Sequence, residues 1–297
     1  MNEARPAAAA PVAADPAGPR SSRTWRRLRR HHLFMTGLVL FTLVVLMTLA
    51  AGFVAPHDPL QNNYRYRLGA PTKVYLLGTD GFGRDVLSRV LYGTRVSLRI
   101  GLMVVVLNGI LGTFIGSTAG YFRRLDNVIM RVMDGLMAFP AILLAIALAA
   151  VLGASEVNVV LALTAAYTPR TARIVRASVL VIREMEYVQA AVAAGAGYLR
   201  ILFRHILTNS MAPLIVQLTF IFAVSVLAEA VLSFIGVGPP PPTPTWGNII
   251  ADGRNYIREA PWVSILPGIA IGITVLGLNL LGDGLRDVLD PRMRVER

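Results

Sequence analysis

The sequence lacks several residue types on which enzymatic and redox chemistry depends. It contains no cysteine, which excludes disulfide bonds, thiolate metal sites and cysteine nucleophiles. Its only lysine, Lys73, follows Thr72, so the chain cannot form a phosphate-binding loop that ends in Gly-Lys-Ser or Gly-Lys-Thr. The four histidines show no metal-ligand spacing. We therefore expect no catalytic residue, no bound metal and no cofactor in this chain.

Charged residues are also scarce, at 15% of the chain, compared with roughly 25% in a typical soluble domain. Hydrophobic residues make up 55%. They fall into blocks of about twenty residues, the length of helix that crosses the hydrocarbon core of a bilayer. This pattern excludes an ordinary soluble domain and predicts an all-α, multi-pass membrane protein.

Six apolar blocks predict six membrane spans. These blocks lie at residues 33–54, 97–121, 128–152, 158–175, 211–234 and 263–281. The first block is too long for the core of a signal peptide and is predicted to be a retained anchor. It follows an Ala/Pro-rich and then Arg-rich tail at 1–32, which we predict to be disordered. The remaining divisions are an outer loop at 55–96, a transmembrane core at 97–281 and a C-terminal segment at 282–297.

The basic residues predict how the chain is oriented. The net charge is +12, and the basic residues lie between the apolar blocks rather than on one polar face. This distribution is typical of topology signals and does not favour nucleic-acid binding. With the N-terminus inside, twenty of the 29 basic residues are cytoplasmic. We therefore predict that both termini lie in the cytoplasm, in a cell membrane whose lipid surrounds the spans.

The largest predicted cytoplasmic segment lies at about 176–210. Within it, residues 184–208 contain two short helical patterns that are separated by Gly195-Ala196-Gly197. The second pattern is predicted to have one apolar face at helical spacing, formed by Tyr198, Leu199, Leu202, Phe203 and Ile206. The alanines of the first pattern would let another backbone approach closely. The segment could therefore dock in a groove of a partner protein, or it could lie on the bilayer surface. These residues alone leave both readings open.

Two acidic residues, Asp134 and Glu229, fall within predicted spans. Acidic residues inside a membrane are costly and often functional. Asp134 could instead pair with Arg131 one turn away, and Glu229 could be near enough to the outer surface to contact water. The functional alternative places both residues in a substrate pathway or a gate.

Several stretches resemble one family of transport proteins. Residues 186–208 resemble the EAA loop of ATP-binding-cassette (ABC) importer permeases, with Gln189-Ala190-Ala191 as the triplet and Gly195 as the following glycine. Four further stretches resemble the C-type permease of dipeptide, oligopeptide and nickel importers. These are LGTDGFGRDVLSRVLYGTRVSL (77–98), IMRVMDGLMAFPAILLAIAL (129–148), LSFIGVGPPPPTPTWGNIIADGR (232–254) and LNLLGDGLRDVLDPR (278–292).

The resemblance implies a type I importer transmembrane domain with six spans and no enzymatic activity of its own. A homologous B-type permease would complete the pathway, and two cytoplasmic ATPase domains would bind ATP and Mg²⁺. An extracytoplasmic solute-binding protein would deliver the solute, with the first outer loop (55–96) and the third outer loop (236–262) as its contacts. The ATPase-coupling residues that the resemblance implies are Glu186, Gln189, Ala190, Ala191, Gly195, Arg200, Arg204 and His205.

Two departures from the family pattern concern this segment. Gln189 stands where the family has glutamate, which removes any salt bridge from that position to the ATPase. Thr208 stands where the family has proline, a residue that stops helices, so the end of the segment is open.

Two other classes of protein compete with this interpretation. An ion-driven secondary transporter would need paired intramembrane acids or inverted repeats, and only Asp134 and Glu229 are available. A membrane scaffold or receptor would leave the polar, glycine-rich spans unexplained. The solute stays open among dipeptides, oligopeptides, glutathione and nickel chelates.

Overall fold

The computed structural model describes the backbone of residues 20–289 and the side chains of residues 25–289. Residues 1–19 and 290–297, which belong to the predicted tail and C-terminal segment, lie outside this range. The described part of the tail is helical, because helix α1 spans Arg20–Arg30. Leu28 is buried, and α1 contacts both helices that lie beside it, which gives this short helix a packed face. The prediction of disorder up to residue 32 is therefore wrong for this helix.

The described residues form eleven α-helices and no β-strand, as the sequence predicts. A π-helical stretch, Ile201–Leu207, joins α8 to α9 without a break. In chain order the helices are α1 (Arg20–Arg30), α2 (His32–Val54), α3 (Val86–Tyr121), α4 (Arg123–Met137), α5 (Ala141–Leu152), α6 (Glu156–Arg183), α7 (Glu186–Ala193), α8 (Tyr198–Arg200), α9 (Thr208–Phe234), α10 (Trp246–Gly253) and α11 (Trp262–Leu289).

Four helices are each long and apolar enough to cross a membrane, namely α2, α3, α11 and the continuous helix Tyr198–Phe234. Helices α4 and α5 meet the same test only as a pair, and the chain bends by 87° between them. Pro140 lies at this bend, lacks a backbone N–H and disfavours helical geometry in the residue before it. The third predicted span is therefore broken, which corrects its prediction as one helix.

Helix α6 decides whether the chain has the six spans that the sequence predicts. It has 28 residues and is therefore about 42 Å long, enough for the ~30 Å hydrocarbon core. It is long enough but less apolar than the helices that qualify as membrane spans by composition. Three of its polar residues, Thr164, Thr168 and Thr171, are buried against neighbouring helices. A helix enclosed by other helices tolerates such residues because they hydrogen-bond within the bundle. The count of six stays a prediction.

Among the described helices, α3 and α6 share the most extensive contact. Glycines recur every fourth residue along this face of α3, and a Cβ atom at Gly116 would lie 2.3 Å from the backbone oxygen of Ala172. Small residues let membrane helices approach this closely. One turn from these glycines, the Thr171 hydroxyl donates a hydrogen bond to the Asn108 side chain over 2.5 Å. This seam forms the centre of the bundle.

Two apolar clusters surround this seam. One lies among α3, α5, α6 and α9 and contains Ile100, Leu163 and Leu232. The other joins α3 and α9 to α2, α10 and α11, with the fully buried Trp246 at its centre. The clusters therefore tie the predicted anchor, α2, to the transmembrane core.

The first outer loop is shorter than predicted. Helix α3 begins at Val86, so the last eleven residues of the predicted loop at 55–96 are helical. Asp85 caps this helix by accepting a hydrogen bond from the Ser88 backbone N–H over 2.9 Å. Arg89 and Arg95 concealed the helix start from a prediction that rests on apolar blocks, although Asp85 was available as a capping signal.

Candidate functional site

The segment 184–208, which we call the coupling segment, folds as helix α7, a tight turn and the first turns of a second helix. The turn begins at Gly195, where φ is +78°, a conformation that strains residues with a Cβ atom. The Ala196 N–H donates to the Ala191 carbonyl oxygen, and the Gly195 N–H donates to that of Val192. These two bonds form a Schellman motif, which ends α7.

Few side chains attach the coupling segment to the rest of the chain. Val188 is the one buried residue of α7, and it packs in an apolar cluster with Ile201, Ile206 and residues of α6 and α9. Ile201 and Ile206 are five residues apart in the sequence. Both point inward because a π-helix brings residues at this spacing to the same side.

The predicted apolar face of the second pattern is divided between the surface of the chain and its interior. Ile206 is buried, but Tyr198, Leu199 and Phe203 are 49%, 53% and 62% exposed. The prediction assumed 3.6 residues per turn, whereas the π-helix Ile201–Leu207 has a wider turn and brings Ile201 inward instead. Nothing in the hydrophobic pattern distinguishes the two registers.

Most of the predicted coupling residues are exposed. Seven of the eight, all but Gly195, lie on α7 or on the helix that follows the turn. Gln189 donates from Nε2 to the Arg183 carbonyl oxygen over 2.8 Å, so its side chain already has a partner within the chain. His205 is partly buried, with its ring 6.3 Å from the Tyr187 ring, and Ala191 is partly buried too. The other exposed predicted residues are Glu186, Ala190, Gly195, Arg200 and Arg204.

The helix that begins in the coupling segment does not end at Thr208. The Thr208 hydroxyl donates to the Phe203 carbonyl oxygen over 3.0 Å, and the helix continues from Tyr198 to Phe234. Its 37 residues span about 55 Å. One continuous helix thus connects the exposed segment to the opposite end of the bundle.

Asp134 has a different partner from the one considered in the sequence. Its carboxylate accepts a hydrogen bond from Arg173 of α6 over 2.5 Å, and Arg131 is not paired with it. Asp126, two turns earlier in α4, accepts from Arg176 Nε over 2.5 Å. These two bridges hold α4 against α6. The side chains of Asp134 and Arg173 are about half exposed, so their bridge lies at the surface of the chain.

Glu229 does not reach water, which corrects the interpretation that placed it near the outer surface. Its exposure is 0%. Its Oε1 accepts a hydrogen bond from Ser233 Oγ over 2.6 Å, and its Oε2 has no partner among the described residues. The Ser97 and Thr245 side chains lie beside it. Glu229 therefore forms part of a buried polar seam between α3, α9 and the loop before α10.

A buried ion cluster that sequence reasoning missed lies at the end of the bundle opposite the coupling segment. Asp80, which is fully buried, accepts from Arg84 Nε over 2.7 Å and from Arg89 Nη1 over 2.5 Å. Both arginines also donate to Asp252 of α10, each over 2.9 Å. The stretch LGTDGFGRD thus binds the first outer loop to the third. The motif was a visible signal, but its partner lies more than 160 residues away.

Beside this cluster is a cavity of about 730 Å³. Its walls come from the first outer loop, the end of α9, the proline-rich stretch and α10. Charged, aromatic and amide side chains line it, including Arg67, Phe82, Phe234, Asp252, Arg254 and Tyr256. We call residues 55–95 and 236–261, which contain the cluster and most of the cavity wall, the outer region.

Two family models match parts of this chain. Residues 110–295 match the family model described as the binding-protein-dependent transport system inner membrane component. Residues 20–71 match the N-terminal transmembrane domain of oligopeptide transport permease C.

Individual relatives cover nearly the whole chain. A permease protein of Brucella abortus, provisionally assigned to a peptide transport system, is 56% identical over 92% of both chains. The di/tripeptide transport system permease of Pseudomonas aeruginosa is 43% identical over 91% of both chains. The glutathione transport system permease of Pectobacterium atrosepticum is 41% identical over 91% of this chain and 90% of its own length.

Proposed function

Because the chain belongs to the family of binding-protein-dependent transport system inner membrane components, we propose that it forms one half of the translocation pathway of a peptide importer. It is a C-type permease subunit of an ABC importer and not an enzyme. The relatives transport dipeptides, di- and tripeptides or glutathione, according to their names. These solutes share a short peptide backbone, and peptides of this size are the substrates that we assign to this chain.

The observation that supports coupling to a separate ATPase is the exposed coupling segment. Its apolar side chains Val192, Leu199 and Phe203 are each more than half exposed, whereas one residue of α7, Val188, is buried. Exposed apolar side chains on a weakly attached segment are typical of a docking surface. We therefore favour docking of this segment in a groove of a partner over permanent exposure to solvent. The continuous helix Tyr198–Phe234 would transmit its displacement into the bundle.

The partners follow from this arrangement. A homologous B-type permease supplies the other half of the pathway. Two cytoplasmic ATPase domains bind ATP and Mg²⁺ and dock on the two coupling segments. A solute-binding protein delivers the peptide to the outer region. ATP binding closes the ATPase dimer and moves the coupling segments, the spans of both permeases rearrange so that the pathway opens outward, and hydrolysis restores the first state.

The same proposal fixes the orientation. The chain is a multi-pass inner-membrane protein, and its coupling segment must face the ATPases in the cytoplasm. Both termini are then cytoplasmic, in accordance with the predominance of basic residues in the predicted cytoplasmic segments.

Purification of the tagged chain from its native membrane tests this proposal. We expect a second permease, ATPase subunits and a solute-binding protein to co-purify. We also expect vesicles that contain the reconstituted complex to take up a dipeptide only when ATP is enclosed inside them. Recovery of the chain alone in several mild detergents would contradict the proposal. So would uptake that follows an imposed ion gradient and does not need ATP.

A further inference from the structure

The cavity in the outer region has the dimensions and the walls of a small-molecule site. Its volume of about 730 Å³ falls within the range of roughly 300–1,000 Å³ that is usual for ligand pockets. Pro239, Pro240 and Pro241 form part of one wall, and proline restricts backbone motion. Ser233, on the last turn of α9, lies at the cavity and donates to Glu229. The site therefore lies at the outer end of a span.

The charges that face the cavity favour an anionic group. Asp252 is the one acidic residue of the wall, and it already accepts hydrogen bonds from Arg84 and Arg89. Asp80, the fourth member of that cluster, makes its total charge zero. Two wall arginines, Arg67 and Arg254, are outside the cluster.

These two arginines differ in how they are held. Both are exposed. Arg67 donates to the Tyr256 hydroxyl over 3.1 Å and lies 5.7 Å from the centre of its ring, which orients its guanidinium along the wall. Arg254 is exposed and has no ion pair among the described residues. Guanidinium groups recognise carboxylates through paired N–H donors. The wall thus offers one positioned and one unpaired guanidinium.

The remaining wall suits the body of a peptide. Tyr64, Phe82 and Phe234 supply aromatic surface for apolar side chains, and Asn248 and Asn255 supply amides that can hydrogen-bond to peptide groups. A site with apolar walls and a few placed polar groups is the usual design of a small-ligand pocket.

We propose that this cavity binds the C-terminal carboxylate and the adjacent side chain of a short peptide, with Arg67 and Arg254 as the carboxylate-binding residues. This rests on the proposed function, because the peptide is the solute that the importer moves. The permease thus has its own receiving site for peptide, separate from the site on the solute-binding protein.

The test uses the purified complex of permeases and ATPases without the solute-binding protein. Binding of the dipeptide Ala-Phe and of its C-terminal amide is measured by saturation-transfer NMR. Both ligands share the ammonium group and the side chains, so their difference isolates the carboxylate. We expect the acid to bind about tenfold more tightly, the effect of one hydrogen bond to a charged group.

Variants locate the site. The double substitution Arg67→Ala/Arg254→Ala should reduce acid binding to the level of the amide, and Arg254→Glu should do the same. The matched control is Arg258→Ala, an exposed arginine one turn beyond Arg254 that does not line the cavity, and it should leave the acid preference unchanged. The melting temperature of each variant shows whether it is folded.

Three results would overturn the proposal. The first is equal binding of acid and amide to the unmodified complex, and the second is an acid preference that survives in the double variant. The third is a double variant that loses affinity for the solute-binding protein but retains free-peptide binding, since the arginines would then form a protein-docking surface. ATP-dependent uptake by the unmodified complex, measured after the solute-binding protein is added back, separates these results from failure of the proposed function, because that failure would abolish uptake altogether.

Discussion

The outer region and the coupling segment differ in how completely each is packed by its own chain. In the outer region, Asp80, Arg89 and Trp246 are almost fully buried, and Thr245 and Asn248 cap α10 with reciprocal hydrogen bonds. In the coupling segment, Val188 is the only buried side chain of α7. The outer region is packed by residues of its own chain, whereas the coupling segment presents apolar surface that the chain itself does not cover.

This difference indicates which region is rigid and which region can bind and release a partner. A region with buried, mutually paired charges resists partial opening, because each separated charge would be left without a partner. A helix held by one buried side chain, as α7 is, can associate with a partner at small cost to the fold. The following substitutions test that contrast, in decreasing order of expected effect.

The largest effect is expected from Arg89→Ala in the outer region. This change removes one of the two guanidiniums that pair with the buried Asp80, and losing one partner of a buried pair costs about 3–5 kcal/mol. The apparent melting temperature of the purified complex should fall by about 10 °C. Arg258→Ala, an exposed arginine of the same region, should leave it unchanged. Equal melting temperatures for the two variants would mean that the outer region is not stabilised by its buried charges.

The second effect should be functional and leave the fold intact. Ala190→Arg places a long charged side chain on the exposed face of α7. We expect an unchanged melting temperature but weaker association with the ATPase, by about 2 kcal/mol or thirtyfold, and a matching loss of ATP-driven peptide uptake. Ala70→Arg, at an exposed alanine of the outer region, is the control for the association. Full uptake by Ala190→Arg would remove α7 from the docking surface.

A smaller effect is expected from Gly195→Ala, which tests how the turn holds α7. An added Cβ would meet nothing within 4 Å at Gly195 or at Gly197, but only Gly195 has a positive φ. The strain of about 1 kcal/mol should accelerate hydrogen exchange of the α7 amides. Gly197→Ala should not change the exchange, since Gly197 has a φ of −63°. Identical exchange in the two variants would show that the turn does not order the segment.

The smallest effect is expected from Arg99→Ala. Arg99 makes two hydrogen bonds to Glu156, over 2.7 and 2.6 Å, but its side chain is 53% exposed. Exposed pairs contribute about 0.2–1 kcal/mol and are screened by salt. The melting temperature should therefore fall slightly at low salt and not at high salt. A fall as large as that of Arg89→Ala would mean that burial does not separate the two kinds of pair.

The apolar blocks predicted helices at the right places because a span needs a long apolar run, and such runs are visible in the sequence. The family resemblance likewise identified the coupling segment, whose helix, glycine turn and second helix are present. What failed depended on contacts between distant residues. Asp134 pairs with Arg173 of α6 rather than with its neighbour Arg131, and Arg89 pairs with the distant Asp252 as well as with the nearby Asp80.

Two further features were invisible for local reasons. The π-helix changes which side chains point inward, and the spacing of apolar residues fits both registers, so Ile201 was not recognised as buried. One of the two interpretations of Glu229 put it in contact with water, because it stands near the end of an apolar block. In the structure, the loop that leads to α10 folds back and covers it, with Thr245 beside its carboxylate. Neither outcome could be read from the sequence around these residues.

The continuous helix Tyr198–Phe234 can be considered as a lever. A rod about 55 Å long that tilts by about 5° about one end moves its other end by about 5 Å. This displacement is sideways and is comparable to the separation of neighbouring side chains. A small change of angle at the coupling segment would thus suffice to move Ser233 and the neighbouring cavity wall.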